Sequence, residues 1–86
     1  MLSRREDLIL RLLAAKEELY GLDMVEASGG LLKRGAIYVI LSVMEDKGLL
    51  SRRTETAPSP GGVIPRPLYK ITEAGRQALA AQEKKP

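Results

Sequence analysis

The chain of 86 residues has no cysteine, no histidine, no phenylalanine and no tryptophan, and only three tyrosines. Each absence removes a class of chemistry. Without thiol or imidazole there is no disulfide, no Cys or His metal ligand and no nucleophile activated by histidine. Acids remain, but Glu17-Glu18 and Glu45-Asp46 are adjacent pairs whose side chains diverge on a helix instead of converging on a substrate. No glycine-rich phosphate loop follows a strand, so neither an enzyme nor a bound cofactor or metal is expected. No apolar run approaches the roughly 18 residues of a membrane span, and no signal-peptide pattern opens the chain, which points to a soluble cytoplasmic protein. The scarcity of aromatics makes any core aliphatic, and the length allows one domain, residues 1–86, with one modest core.

Charge is present but unevenly placed. Lys and Arg number 14 against 11 Asp and Glu, for a net charge of +3. Residues 1–32 carry more acids than bases, whereas residues 50–71 hold Arg52, Arg53, Arg66 and Lys70 against Glu55 alone. The basic excess begins at Lys33-Arg34, so the middle of the chain is expected to face an anionic partner.

The hydrophobic pattern gives the element order. Ser3-Arg4-Arg5-Glu6 reads as a capping box, opening a helix from Arg4 to Ala15 with Leu8, Ile9, Leu12 and Leu13 at helical spacing. A short connection, Glu17 to Gly21, leads to a second helix, Leu22 to Ala27, with Leu22 and Val25 inward, stopped by Ser28-Gly29-Gly30. A third helix follows with Ile37, Ile40, Leu41 and Met44 on one face and ends at Gly48. A hairpin, about residues 50–71, turns at Ser59-Pro60-Gly61-Gly62, which suits a type II turn. Pro65 and Pro67 place the returning strand at an edge. Thr72 caps a last helix, Glu73 to about Lys84, with Ala74, Ala78 and Leu79 inward. Three helices, a two-stranded ribbon and a closing helix make a mainly α winged helix-turn-helix.

In that fold the third helix offers its N-terminal residues to the DNA major groove. Lys33 and Arg34 stand at its entrance, where the positive end of the helix dipole disfavours them by a few tenths of a kcal/mol. An incoming phosphate reverses the sign, because two cations and free backbone N–H groups then converge on one anion. Gly35 allows close approach of a sugar-phosphate strand. Tyr38, one turn after Arg34, is placed to hydrogen-bond phosphate. The hairpin cations Arg52, Arg53, Arg66 and Lys70 form a basic wing for the backbone or minor groove. The bland readings are a solvated charged face and an edge strand protected against aggregation.

Four stretches carry a family likeness. They are Glu18-Leu19-Tyr20-Gly21, Arg34-Gly35-Ala36-Ile37-Tyr38-Val39-Ile40-Leu41, Met44-Glu45-Asp46-Lys47-Gly48-Leu49, and Tyr69-Lys70-Ile71-Thr72-Glu73-Ala74-Gly75-Arg76. In this order they resemble the PadR-like family of bacterial winged-helix transcriptional regulators. The resemblance implies a repressor that binds double-stranded operator DNA as a dimer, with contacts at Lys33, Arg34, Gly35, Tyr38 and the hairpin arginines. Two departures stand out: Lys33 and Ala36 occupy positions where the family carries hydroxyl residues. Family members often continue into a helical C-terminal domain, and this chain reads as a short form without it. Dimerisation is then expected through the first and last helices, with Leu2, Leu10 and Leu79 as candidate contacts, and no small-molecule effector site is expected in so small a core. The alternative from another class is a winged-helix module that binds a protein and not DNA.

Overall fold

Ser3 and Glu6 lock the first turn. In the computed structural model, which describes residues 2–83, the Ser3 hydroxyl accepts from the Glu6 amide at 3.1 Å, and the Glu6 carboxylate accepts from the Ser3 amide at 3.0 Å. The helix they open, α1, runs Arg4–Ala15 as expected. It is followed by β1 (Leu19–Tyr20), α2 (Gly21–Ala27), α3 (Ile37–Asp46), β2 (Leu50–Ser59), β3 (Gly62–Ile71) and α4 (Glu73–Glu83). The expected end of the last helix at Lys84 lies outside the described residues.

The core is aliphatic apart from one tyrosine. Ile9, Leu10 and Leu13 of α1 meet Met24 of α2, Leu32, and Ile37, Leu41 and Met44 of α3; Leu50, Tyr69, Ile71 and Leu79 close it from the hairpin root and α4. Two expected inward positions differ. Leu22 is exposed, and Met24 is the α2 side chain that is fully buried in the core, in a helix that starts one residue earlier than expected, at Gly21. Ala74 is exposed while Gly75 is buried. Leu10 and Leu79 are fully or nearly fully buried in the single chain, so neither is available as a contact with a second copy.

The sheet also differs from the two-stranded expectation. Its order is β1-β3-β2, with Leu19 opposite Tyr69 and Tyr20 opposite Leu68. A two-residue strand carries too little periodicity to show in sequence. The returning strand is therefore central at Leu68–Tyr69 and an edge only beyond, where Pro65 and Pro67 lie out of reach of β1. Pro67 opposes Thr54, Pro65 opposes Thr56 and Pro58 opposes Val63. All three share one phase of the antiparallel alternation, and proline fits only the phase whose nitrogen points away from the partner strand. The ribbon accordingly stays paired to Ser59↔Gly62. Gly62 has φ 126°, while Gly61 does not take the positive φ that a type II turn demands at its third position. The tip is thus not type II. The protein measures 52 × 26 × 21 Å, its length drawn out by this ribbon of about 30 Å.

Glycines 29 and 30, with φ of 63° and 97°, end α2 in the left-handed region as the Ser-Gly-Gly signal requires. Gly75 serves a different purpose. A Cβ there would collide with the Leu49 carbonyl oxygen and lie 2.8 Å from Ile71 Cγ1. Replacing Gly75 by alanine is expected to cost about 1–3 kcal/mol, the range for overpacking, despite alanine's better helix propensity. Thermal unfolding should show the transition lowered by several degrees.

Glu6 links α1 to α3. Its second oxygen accepts from Lys47 Nζ at 3.0 Å, just past the end of α3, and its side chain is only 11% exposed. The Ser3 amide first, then Lys47, holds the Glu6 carboxyl below its usual pKa, against an opposing effect of burial. A carboxyl with a lowered folded-state pKa adds stability above its unfolded value, and that stability is lost as pH falls through the folded value. Denaturant midpoints should therefore drop below about pH 4.5, and the Glu6→Gln variant should be less stable at neutral pH with a flatter acid limb.

Candidate nucleic-acid interface

The entrance of α3 is built without a side-chain cap. The Lys33 carbonyl accepts from the amides of Ala36 at 3.1 Å and Ile37 at 3.0 Å, so the helical path begins there although regular α geometry starts at Ile37. Among the described residues the Arg34 and Gly35 amides have no hydrogen-bond partner within the protein. Lys33, Arg34 and Gly35 are all exposed, and no described carboxylate lies within ion-pair distance of either cation. Two cations and open amides at a helix N-terminus form an anion-seeking arrangement.

Tyr38 stands on the next turn, 44% exposed. Its ring lies on Gly21, where an added Cβ would come within 2.9 Å of Tyr38 Cε1. It shares a small cleft with Tyr20, Asp23, Pro65, Arg66 and Pro67, so α2, α3 and the ribbon converge on this ring.

The hairpin cations do not form one continuous basic strip. The register puts Arg52 on the ribbon face of Leu50, Tyr69 and Ile71, and Arg53, Arg66 and Lys70 on the other. Arg53 is engaged by its own chain: Nε and Nη2 donate to the two oxygens of Glu18 at 2.7 and 2.9 Å, and Glu55 lies 3.9 Å away. This bidentate contact holds the Glu18 carboxyl below its usual pKa. Arg66 lies 4.3 Å above the Tyr20 ring, whose hydroxyl donates to Glu55. Arg52 is 3.6 Å from Glu45. Lys70 is exposed, and no described carboxylate pairs with it. From Thr56 to Pro65 the ribbon carries no charge, and Val63 and Ile64 are exposed near its tip. The positive potential therefore belongs to the ribbon's root.

Sequence reasoning passed over the outward side of α3. Val39 is 67% exposed and Val43 44%. Both lie opposite the Ile37, Leu41 and Met44 stripe, a helical phase that is readable in the sequence. Two grooves of about 470 Å³ complete the surface. One passes Lys33, Ala36, Val39, Ile40 and Val43 beside the start of α1. The other runs between α1 and α4, past Leu2, Leu49, Ala78 and Ala81. Both are open to solvent along the surface and neither enters the core.

A helix pair joined through glycines, whose second member has an open cationic entrance, and a ribbon beside it define a winged helix-turn-helix. Comparison with known proteins gives the same architecture. Residues 9–81 match the Transcriptional regulator PadR-like family, and the chain belongs to that family. A PadR family transcription regulator from hypervirulent Clostridium difficile superposes with a TM-score of 0.77 at 28% identity, covering 95% of this chain and 85% of the other. A PadR-like transcription factor from Bacteroides fragilis gives 0.70 at 31% identity, covering 91% and 75%. Bacillus subtilis PadR, solved in complex with operator DNA, shares the fold with a TM-score of 0.84 at 24% identity; this chain is covered entirely and spans half of that one. No curated protein matches the chain.

The seat of Tyr38 can be tested directly. Gly21→Ala should displace the ring while the exposed side chain swings clear, leaving the melting temperature within a few degrees. Proton resonances of the Tyr38 ring should shift, whereas those of Tyr69 should hold.

Proposed function

We propose that the protein is a cytoplasmic, sequence-specific regulator of transcription, acting as a repressor by binding double-stranded DNA. The observation that carries this reading is the entrance of α3, where Lys33 and Arg34 stand exposed beside unfilled backbone amides. In the major groove, Arg34 suits a guanine edge, while Lys33, the Gly35 amide and the Tyr38 hydroxyl suit phosphates. Lys70 and Arg66 supply sequence-independent attraction from the wing. Arg52 and Arg53 contribute less, since each is already drawn to a carboxylate of its own chain. The operator complex of Bacillus subtilis PadR supports the same use of a shared fold.

A homodimer completes the proposal. With Leu10 and Leu79 spent on the core, the surface left on the first and last helices is the groove of Leu2, Ala78 and Ala81. Two copies joined there would present two α3 helices to half-sites about 34 Å apart.

Selection of bound sequences from random duplex DNA near physiological salt is the decisive experiment. A two-fold symmetric motif is the expected result. Affinity for it should fall linearly with the logarithm of salt concentration. Arg34→Ala should lose about 10- to 100-fold on the selected site while changing random DNA much less, within the range for one base contact. Lys70→Ala should weaken all sequences alike and reduce the salt slope by about one. Failure to bind any duplex at low salt would overturn the assignment.

A further inference from the structure

The exposed side of α3 is unusual for a helix that enters a major groove. From Gly35 to Met44 there is no Arg, Lys, Asn, Gln, Asp or Glu. These are the side chains that read base edges by paired hydrogen bonds or by accepting from cytosine. The outward positions are instead Tyr38, Val39, Ser42 and Val43. Val39 stands at the crest, opposite the buried Ile37, Leu41 and Met44, and its 67% exposure is the highest among the large apolar residues of the described chain.

Resting on the DNA-binding reading above, we infer that Val39 and Val43 are specificity-determining residues that recognise the C5-methyl groups of thymines in the major groove. An aliphatic side chain cannot pair with a donor or an acceptor. The major groove offers it one apolar partner, and that is the thymine methyl. The two valines are one turn apart, about 6 Å along the helix axis. That rise spans roughly two base-pair steps of 3.4 Å, so two thymines of one half-site can be met together.

The surroundings favour DNA as the occupant of this face. It is continuous with Lys33 through the groove that Lys33, Ala36, Val39, Ile40 and Val43 line. Arg5, exposed at the start of α1, lines the same groove, and no described carboxylate pairs with it. The groove's one acid, Glu6, is already held by Lys47 and the Ser3 amide. An apolar floor between free cations matches methyl groups lying between phosphates.

The test uses the duplex recovered by the selection, with each thymine replaced in turn by deoxyuridine, which removes the methyl and leaves every hydrogen-bonding group. At one or more positions per half-site the wild-type protein should bind about fourfold more weakly, the worth of one buried carbon. Val39→Ala or Val43→Ala should abolish that penalty at one position each, and 5-methylcytosine in place of cytosine should leave the remaining positions unaffected. Both substitutions are at exposed helical sites where alanine is the better helix former, so folding is preserved and melting curves will verify it. The inference falls if no thymine shows a methyl dependence, or if the dependence persists unchanged in both variants, in which case the methyl acts through the shape of the duplex. Salt-dependent duplex binding with no methyl dependence would overturn this inference alone. Absence of duplex binding would remove the functional reading beneath it.

Discussion

Thr72 is the joint on which the arrangement turns. Its hydroxyl donates to the Gly48 carbonyl at 2.6 Å and accepts from the Gly75 amide at 3.0 Å, and its own amide donates to the Leu49 carbonyl at 3.2 Å. One residue therefore caps α4, fastens the turn that leaves α3, and adjoins the first rung of the ribbon, Leu50↔Ile71. Gly75 allows α4 to press against the Leu49 carbonyl with no side chain between them. The angle between α3 and the ribbon is set at this point. On the proposed reading, a helix and a wing that meet one duplex together need that angle fixed before binding, because ordering it afterwards would cost affinity.

Charge is distributed around this frame with a clear division. Lys47 is paired with Glu6, Arg11 with Asp7 and Glu83, Arg52 with Glu45 and Arg53 with Glu18. These contacts tie one element to another, α1 to α3 and α4, α3 to the ribbon, and the ribbon to the start of β1. Most are exposed and individually contribute at most about 1 kcal/mol. The acids in these pairs are engaged in structure, and among the described residues no carboxylate lies within ion-pair distance of Lys33 or Arg34. The dipole penalty at the helix entrance persists in the free protein because nothing nearby neutralises it.

Much of this was legible in the sequence. The capping box at Ser3, the Ser-Gly-Gly stop, the Ile37–Met44 stripe and the Thr72 cap each depend on chemistry within four residues, and each stands where its signal lies. Most of the misses share one physical origin. β1 exists only because Leu19 and Tyr20 find Leu68 and Tyr69 across nearly fifty residues, and no local pattern encodes such a pairing. The Glu18–Arg53 bridge and the stacking of Arg66 on Tyr20 follow from that same pairing, so a wing read as uniformly basic proved partly neutralised. Gly75 was visible as a glycine in a helix, but its purpose depends on a carbonyl twenty-six positions earlier in the chain. Val39 needed no long-range information. Its phase on α3 was readable, and only the assumption that recognition is polar hid it.

The composition of α3 bears on oligomeric state. On the proposed reading, one half-site gains about 1–3 kcal/mol of discrimination from Arg34 and about 0.8 kcal/mol from each of two methyl contacts, or roughly 3–5 kcal/mol. Specific sites exceed random DNA by about 4–10 kcal/mol in effective regulators. A single copy therefore sits at the lower edge of that range, while two copies on a symmetric site reach its middle. A helix that reads bases through small apolar contacts has few means of sharpening one half-site further. On that reading its selectivity comes from repetition, and the groove between α1 and α4 is the surface proposed for a second copy.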